Sequence, residues 1–290
     1  MITITLIISF VCFYLAFYAP KNKKKGLHLF DYGMLEPYRD TLSAWSAEAE
    51  SLPHTDVKIK SFDGLTLCGK FYEYAPDATV ELLMHGYRGT AERDLCGAVQ
   101  RCFALGHSAL IVDQRACGNS EGRVITFGVK EYRDCLSWVE FLSPRRILLG
   151  GISMGASTVL IAAGKPLPEN VVGVLADCGY SSAREIICTV IRGMHLPPRL
   201  AYPFVRLGAR LFGGFDPDSE SPLKSLETCT LPVVFLHGEA DDFVPCDMSR
   251  RMYEACPSKK KFISFPKAGH GMSYLVDGDR YLQELKDFWA

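Results

Sequence analysis

Ile147-Leu148-Leu149-Gly150-Gly151-Ile152-Ser153-Met154-Gly155 decides the reading of this 290-residue chain. Residues 147–152 form a short, continuous apolar run, as a strand does when helices cover both of its faces. Residues 156–164 then read as a helix. A Gly-x-Ser-x-Gly at a strand-to-helix junction is the context of a nucleophile elbow, a strained turn that lifts a serine hydroxyl clear of a sheet. Glycines at 151 and 155 remove bulk that so sharp a turn does not tolerate. Ser153 is therefore the candidate nucleophile.

Strand signals recur on either side of this elbow, at residues 57–61, 67–72, 80–85, 108–113, 171–177, 232–237 and 260–265. The later ones are continuous apolar runs and most are followed by helical stretches, which implies a parallel sheet. The first two alternate and are joined by Asp63-Gly64, a hairpin signal. The expected architecture is an α/β fold with an eight-stranded, mostly parallel sheet and helices on both faces. In such a sheet, function sits in the loops at the C-terminal strand ends.

A serine hydroxyl is a weak nucleophile without a base and a group that orients the base. His270, in the small-residue loop Ala268-Gly269-His270-Gly271 after the last strand, is the candidate base. His28 and His54 precede the sheet, His107 opens a strand, His195 falls in an insertion, and His85 and His237 sit at strand ends in turn-stabilising positions. Asp241 is chosen as the acid because it fits the register HGxxDxxVP over residues 237–245 and the order Ser, Asp, His. Asp242 beside it and Asp177 at an earlier strand end are the alternatives. An acyl-transfer site also needs donors for a developing oxyanion. The loop His85-Gly86-Tyr87-Arg88-Gly89 follows the third strand, so the Tyr87 N–H and the Met154 N–H are the candidate hole, with Gly86 and Arg88 expected at the substrate.

The whole chain carries 32 basic and 33 acidic side chains and is 48% hydrophobic, enough for a sizeable core and without the basic field of a nucleic-acid binder. Eleven cysteines form no CxxC pair and no cluster, which reads as reduced thiols in a cytosolic domain, with neither a disulfide framework nor a metal site.

Residues 2–19 hold no charge, about 27 Å as a helix, and are followed by Pro20 and Lys21-Asn22-Lys23-Lys24-Lys25. The lysines lie after the apolar run, so a cleaved signal peptide is disfavoured and the positive-inside rule keeps the rest of the chain on the cytoplasmic side. The expected organisation is a single-pass transmembrane anchor with its basic flank at 1–25 and a juxtamembrane helical connector at 26–54, with Leu35, Tyr38, Leu42 and Trp45 at helical spacing. One α/β domain follows at 55–290, with a helical lid at 181–230.

In order, HGYRG, VDQRACGNS, GISMG, ADCGY, HGEADDFVP and AGHGMSY resemble the α/β-hydrolase superfamily, in particular its serine aminopeptidase and monoacylglycerol-lipase-like members and membrane-anchored bacterial hydrolases. The resemblance covers residues 55–290 and implies a Ser, Asp, His triad at Ser153, Asp241 and His270, with no cofactor or metal. Ala116 departs from it, standing where the family's DxRGxGxS loop has glycine.

The expected function is hydrolysis of a carboxylic ester or thioester of a small or lipid-like acyl substrate through an acyl-enzyme. A serine peptidase, aminopeptidase-like, is the alternative, and a noncatalytic binding module ranks third. From Arg184 to Gly214 the insertion carries five arginines against Glu185, amid many apolar residues. Snorkelling surface arginines are the plain reading, and a lid that takes acyl chains at an anionic membrane surface is the functional one. An aminopeptidase needs a carboxylate for the substrate ammonium, and Asp216, Asp218 and Glu220, the only acidic cluster there, read better as a turn before a helix.

Overall fold

The computed structural model describes residues 2–20 and 35–289. The lysine run at 21–25 and the first part of the expected connector, residues 26–34, lie outside them. In chain order the elements are α1 (Ile2–Ala16), a short 3-10 turn (Glu36–Tyr38), α2 (Arg39–Ser51), β1 (Thr55–Lys60), β2 (Thr66–Tyr72), β3 (Val80–Met84), α3 (Ala91–Asp94), α4 (Cys96–Ala104), β4 (Ser108–Asp113), α5 (Glu131–Leu142), β5 (Ile147–Ile152), α6 (Met154–Ala163) and β6 (Val171–Asp177). After β6 come α7 (Ala183–Gly193), α8 (Pro198–Gly208), a π-helical extension (Ala209–Gly213) and α9 (Pro222–Leu226). The chain closes with β7 (Val233–Gly238), α10 (Cys246–Ala255), β8 (Lys260–Phe265), α11 (Ser273–Val276) and α12 (Gly278–Trp289).

All eight expected strands are present, each within two residues of its expected bounds, in one sheet of order β1-β2-β4-β3-β5-β6-β7-β8. Only β2 runs against its neighbours, pairing antiparallel with β1 and β4. Gly64, at φ +88, makes the β1–β2 turn as the Asp-Gly signal requires. Because side chains alternate across a strand, successive residues of the buried strands feed two cores. Leu82, Met84, Val174 and Phe235 join Trp138 of α5, Val159 of α6 and Met252 of α10. Leu83 packs with Val99 of α4, while Leu175 and Val234 join Leu285 of α12. Helices thus close both faces, and the C-terminal strand ends are left to carry loops.

The N-terminal segment does not form the expected spanning helix. Among the described residues no helix is long and apolar enough to cross a membrane. α1 stops at Ala16, about 22 Å long. Residues 17–19 then run extended along residues 123–125, with the Ala19 N–H donating to the Arg123 carbonyl and the Ile125 N–H to the Phe17 carbonyl. One side of α1 is docked on α8: Ser9 and Phe13 are buried, and Gly208 lacks a Cβ that would otherwise sit 2.2 Å from the Ser9 carbonyl oxygen. Phe17, fully buried, meets Phe127 and Phe215 edge-on at 5.6 and 5.1 Å. The apolar run is therefore bound on one side by protein.

The described part of the connector is helical as expected. α2 lies against α4, where Trp45 occupies the space over Gly97 and stacks on Tyr274 at 5.2 Å.

Candidate active site

β5 delivers the chain to Ser153, which adopts φ +55, ψ −116, a conformation that costs an L-residue on the order of 1–3 kcal/mol and is held here by its surroundings. The Ser153 N–H donates to the Asp177 carbonyl at 2.8 Å and fixes the elbow to β6. The two flanking glycines are required by space. A Cβ on Gly151 would lie 2.3 Å from the Gly155 carbonyl carbon, and one on Gly155 would lie 2.0 Å from the Met84 carbonyl oxygen.

The structure brings Ser153, His270 and Asp241 together. Ser153 Oγ lies 2.9 Å from His270 Nε2, and His270 Nδ1 lies 2.7 Å from Asp241 Oδ2. With Nδ1–H donating to the carboxylate, Nε2 is the acceptor facing the serine hydroxyl, which is the tautomer a general base needs. The two loops that carry this pair are clipped by the Ala240 N–H, which donates to the Ala268 carbonyl at 3.0 Å. Phe243 places its ring edge-on to His270 at 5.2 Å and is itself exposed.

Asp241 is buried, which by itself raises a carboxyl pKa. Hydrogen bonds from His237 and His270, the nearby His270 charge and the Val244 amide outweigh burial and hold it well below the usual carboxylate range. Its Oδ1 accepts the Phe243 and Val244 N–H groups at 3.0 and 2.8 Å, while Oδ2 faces both His270 and, at 3.2 Å, His237 Nε2. Of the alternative acids, Asp242 is exposed, and Asp177 is buried, with its pKa raised by burial, and accepts from Ser273 Oγ at 3.2 Å.

His237 is the partner that reading the sequence assigned only to turn stabilisation. It is fully buried, with Nδ1 2.7 Å from Ser249 Oγ and Nε2 2.9 Å from the Val244 carbonyl, so it braces the acid's loop and the acid itself. The signal in the sequence was its spacing of four from Asp241 in HGxxD.

The loop at 85–89 lies beside the nucleophile: the Cβ position of Gly86 is 3.7 Å from Ser153 Cβ. Its shape is set by His85, which donates from Nδ1 to the Gly86 carbonyl at 2.7 Å and accepts the Gln114 N–H at Nε2. Asp94 takes the Gly86 N–H at 3.2 Å. Neither the Tyr87 N–H nor the Met154 N–H donates to a protein acceptor among the described residues, and Met154 opens α6, where helix N–H groups point outward unsatisfied. Arg88, expected at the substrate, is turned elsewhere: at φ +55 it donates to the carbonyls of Leu15 and Tyr18 at 2.8 and 3.1 Å. Tyr87 Oη donates to the Ala16 carbonyl at 2.7 Å. The loop is thereby tied to the C-terminus of α1, a link the sequence does not signal.

A thiol completes the surroundings. Cys178 Sγ lies with Asp241 and His270 in a group whose ligand atoms are all within 4.8 Å of one another. The carboxylate and imidazole are already committed to each other, and burial keeps the thiol pKa well above its ordinary value. This is the arrangement of an acid–base pair with a protonated thiol behind it. Cys117 is likewise buried, with its pKa raised by burial. Ala116 takes φ +64, the left-handed region that glycine enters freely.

A cavity of about 100 Å³ opens beside the elbow, lined mainly by apolar side chains such as Leu83, Ile152, Leu175 and Tyr274, with Asp94 and Asp177 among them. Met154, Phe127, Tyr180, Ile187, Val244 and Phe17 belong to a separate buried apolar cluster. Asp216, Asp218 and Glu220 of the β6–β7 insertion are each paired. Asp216 receives two bonds from Arg206 at 2.9 and 2.7 Å, Asp218 pairs with Arg206 and Tyr202, and Glu220 with Lys165.

Comparison with known proteins agrees with this layout. The alpha/beta hydrolase family profile matches residues 82–284. The chain is similar to the Bacillus subtilis protein YqkD, 30% identical over 247 residues that cover 82% of this chain and 80% of that protein. It is also similar to Schizosaccharomyces pombe bem46, 28% identical over 289 residues, 90% of this chain and 89% of that protein. Among solved structures, the Pyrococcus furiosus esterase Pf2001 superposes with a TM-score of 0.68 at 22% identity, over 83% of this chain and 92% of its own, a likeness of fold. The profile match runs from β3 into α12, more than half of the chain, and the chain belongs to the alpha/beta hydrolase family.

Proposed function

We propose that the chain is a serine hydrolase that cleaves carboxylic esters or thioesters through an acyl-enzyme on Ser153. The observation that carries this reading is the unbroken run from Ser153 Oγ to His270 to a buried Asp241, at 2.9 and 2.7 Å. Ser153 Oγ attacks the substrate carbonyl as His270 Nε2 takes its proton. Asp241, kept ionised, stabilises the imidazolium that forms. The Tyr87 and Met154 N–H groups receive the negative charge that develops on the carbonyl oxygen. His270 then returns the proton to the leaving alcohol or thiol. Water repeats the sequence and releases the acid.

Ester is favoured over peptide by the pairing of Asp216, Asp218 and Glu220, which leaves none of them to hold a substrate ammonium. The mainly apolar cavity beside the elbow suits an acyl chain, and the named activity of the Pyrococcus furiosus neighbour, an esterase, points the same way.

A fluorophosphonate probe tests the class: the wild type labels and Ser153→Ala does not, and equal labelling of both overturns the proposal. Turnover of p-nitrophenyl esters of rising chain length against aminoacyl anilides tests the substrate. Faster anilide turnover replaces ester by peptide.

A further inference from the structure

α1 is apolar around its whole circumference, yet protein covers only one side of it. Ser9, Phe13 and Phe17, spaced by four, face the molecule. Ile4, Ile7, Val11 and Tyr14 lie on the opposite face and are between 48% and 64% exposed. The patch continues onto the insertion: Phe212 meets Phe10 edge-on at 5.2 Å, and Leu211 beside it is 55% exposed. A helix without charged residues and with one open face matches neither a solvated surface helix, which carries charge outward, nor a core helix, which is covered all round. Contiguous exposed apolar surface of this kind marks an interaction site.

Charge selects the occupant. Between Ile2 and Phe30 the sequence holds four lysines and no acid, and all four fall at 21–25, after the four residues that follow α1. Arg210 borders Leu211 and Phe212, and Arg192 and Arg199 are exposed on the same insertion. A two-fold contact between copies of this face would bring two identical basic flanks together. Anionic headgroups complement the same flank, and the acyl region accepts the apolar stripe.

We infer that the outer face of α1 and the Leu211–Phe212 edge form a docking surface for an anionic lipid bilayer, on which α1 lies in the interface plane. A spanning orientation would require lipid on the side now occupied by α8, and a 15-residue helix falls short of the roughly 30 Å hydrocarbon core.

The test is co-sedimentation of the full chain with vesicles of phosphatidylcholine alone or with about one third phosphatidylglycerol, at low and high salt. The expected result is about tenfold more protein on the anionic vesicles, falling as salt rises. The variant Ile4→Ser/Ile7→Ser/Val11→Ser leaves Phe13 and Phe17 in place, so it keeps its unfolding temperature while vesicle binding falls by about tenfold or more. Leu211→Ser gives a smaller loss and serves as the second probe if the triple variant does not fold. Equal binding of wild type and variants overturns the inference, as does equal binding to neutral and anionic vesicles. A wild-type dimer that the triple variant converts to a monomer, with no vesicle binding by either, overturns it in favour of a second copy. Ile7→Trp reports the orientation: quenching by lipids brominated near the headgroup is expected to exceed quenching by lipids brominated at the chain ends, and the reverse order overturns the in-plane placement.

Discussion

The two sides of Ser153 are built by different means. On the side of His270 and Asp241, hydrogen bonds of 2.7–3.2 Å from four donors converge on one carboxylate. On the side of Met154, Phe17, just past α1, and Phe127 pack with the insertion, and polar contacts to the N-terminal segment are made at the rim where Tyr87 and Arg88 reach the end of α1. The polar side depends on each atom being in place. The apolar side depends on volume and on a helix from the far end of the chain. Substitutions on the two sides are therefore expected to fail differently, the first in rate with the fold intact, the second in stability.

The largest separation is expected at the nucleophile. Ser153→Ala lowers kcat for ester hydrolysis by about 10⁶-fold, on the order of 8 kcal/mol, with no loss of unfolding temperature. Asp241→Asn follows at about 10⁴-fold, because the amide selects the wrong histidine tautomer. Asp177→Asn, near but outside the triad, stays within about tenfold. If the two aspartate variants exchange these effects, the acid has been misassigned.

Asp241 also ties the polar side to pH. Its folded-state pKa lies well below that of a free aspartate, so the stability its ionised form contributes is fully present above about pH 4 and is lost as pH falls through the folded value. The stability gap between wild type and Asp241→Asn, measured by urea unfolding, should be widest near neutrality and narrow below pH 4. A gap that shrinks as pH rises would show that burial, not hydrogen bonding to the charged form, dominates there.

On the apolar side, Phe17→Ala removes a fully buried ring and is expected to cost about 3–5 kcal/mol, whereas Ile7→Ala on the open face of α1 stays within about 0.5 kcal/mol in vesicle-free buffer. Equal effects would mean that α1 is not docked as described.

The same contrast explains what could be read from the chain. Strands β3 to β8 were legible because runs such as residues 147–152 have few alternatives once helices flank them, and Asp63-Gly64 set the hairpin. Ser153, Asp241 and His270 were legible because tight turns restrict residue type locally, so a few positions betray the loop. The fate of residues 2–19 was not legible. Eighteen uncharged residues suit a bilayer or a protein groove equally, and the choice is made by Gly208, Phe127 and Phe215, more than a hundred positions away. His237 was half legible: its place at a strand end was clear, but its approach to Asp241 depends on how residues 238–244 curl back. The hold of Arg88 on the carbonyls of Leu15 and Tyr18 was not legible for a similar reason, since those partners lie some seventy positions away in the chain.

Arg88 is where the two sides meet, and it gives the smallest effect and the sharpest test. Its guanidinium caps carbonyls at the negative end of α1, an interaction worth on the order of 0.3–1 kcal/mol, and its left-handed backbone holds the peptide that follows Tyr87. Arg88→Ala loses the grip and keeps the strained φ, whereas Arg88→Gly loses the grip and relieves the strain. Both are expected to lower kcat by about 2- to 5-fold with KM little changed, because a looser loop presents the Tyr87 N–H less well to the oxyanion. If strain were the controlling factor, the glycine variant alone would recover. Combined with Phe17→Ala, which already frees the helix end that Arg88 holds, Arg88→Ala should add almost nothing further to the loss of kcat. Full additivity of the two in a double-mutant cycle would separate the helix from the loop and leave Arg88 acting on the substrate directly.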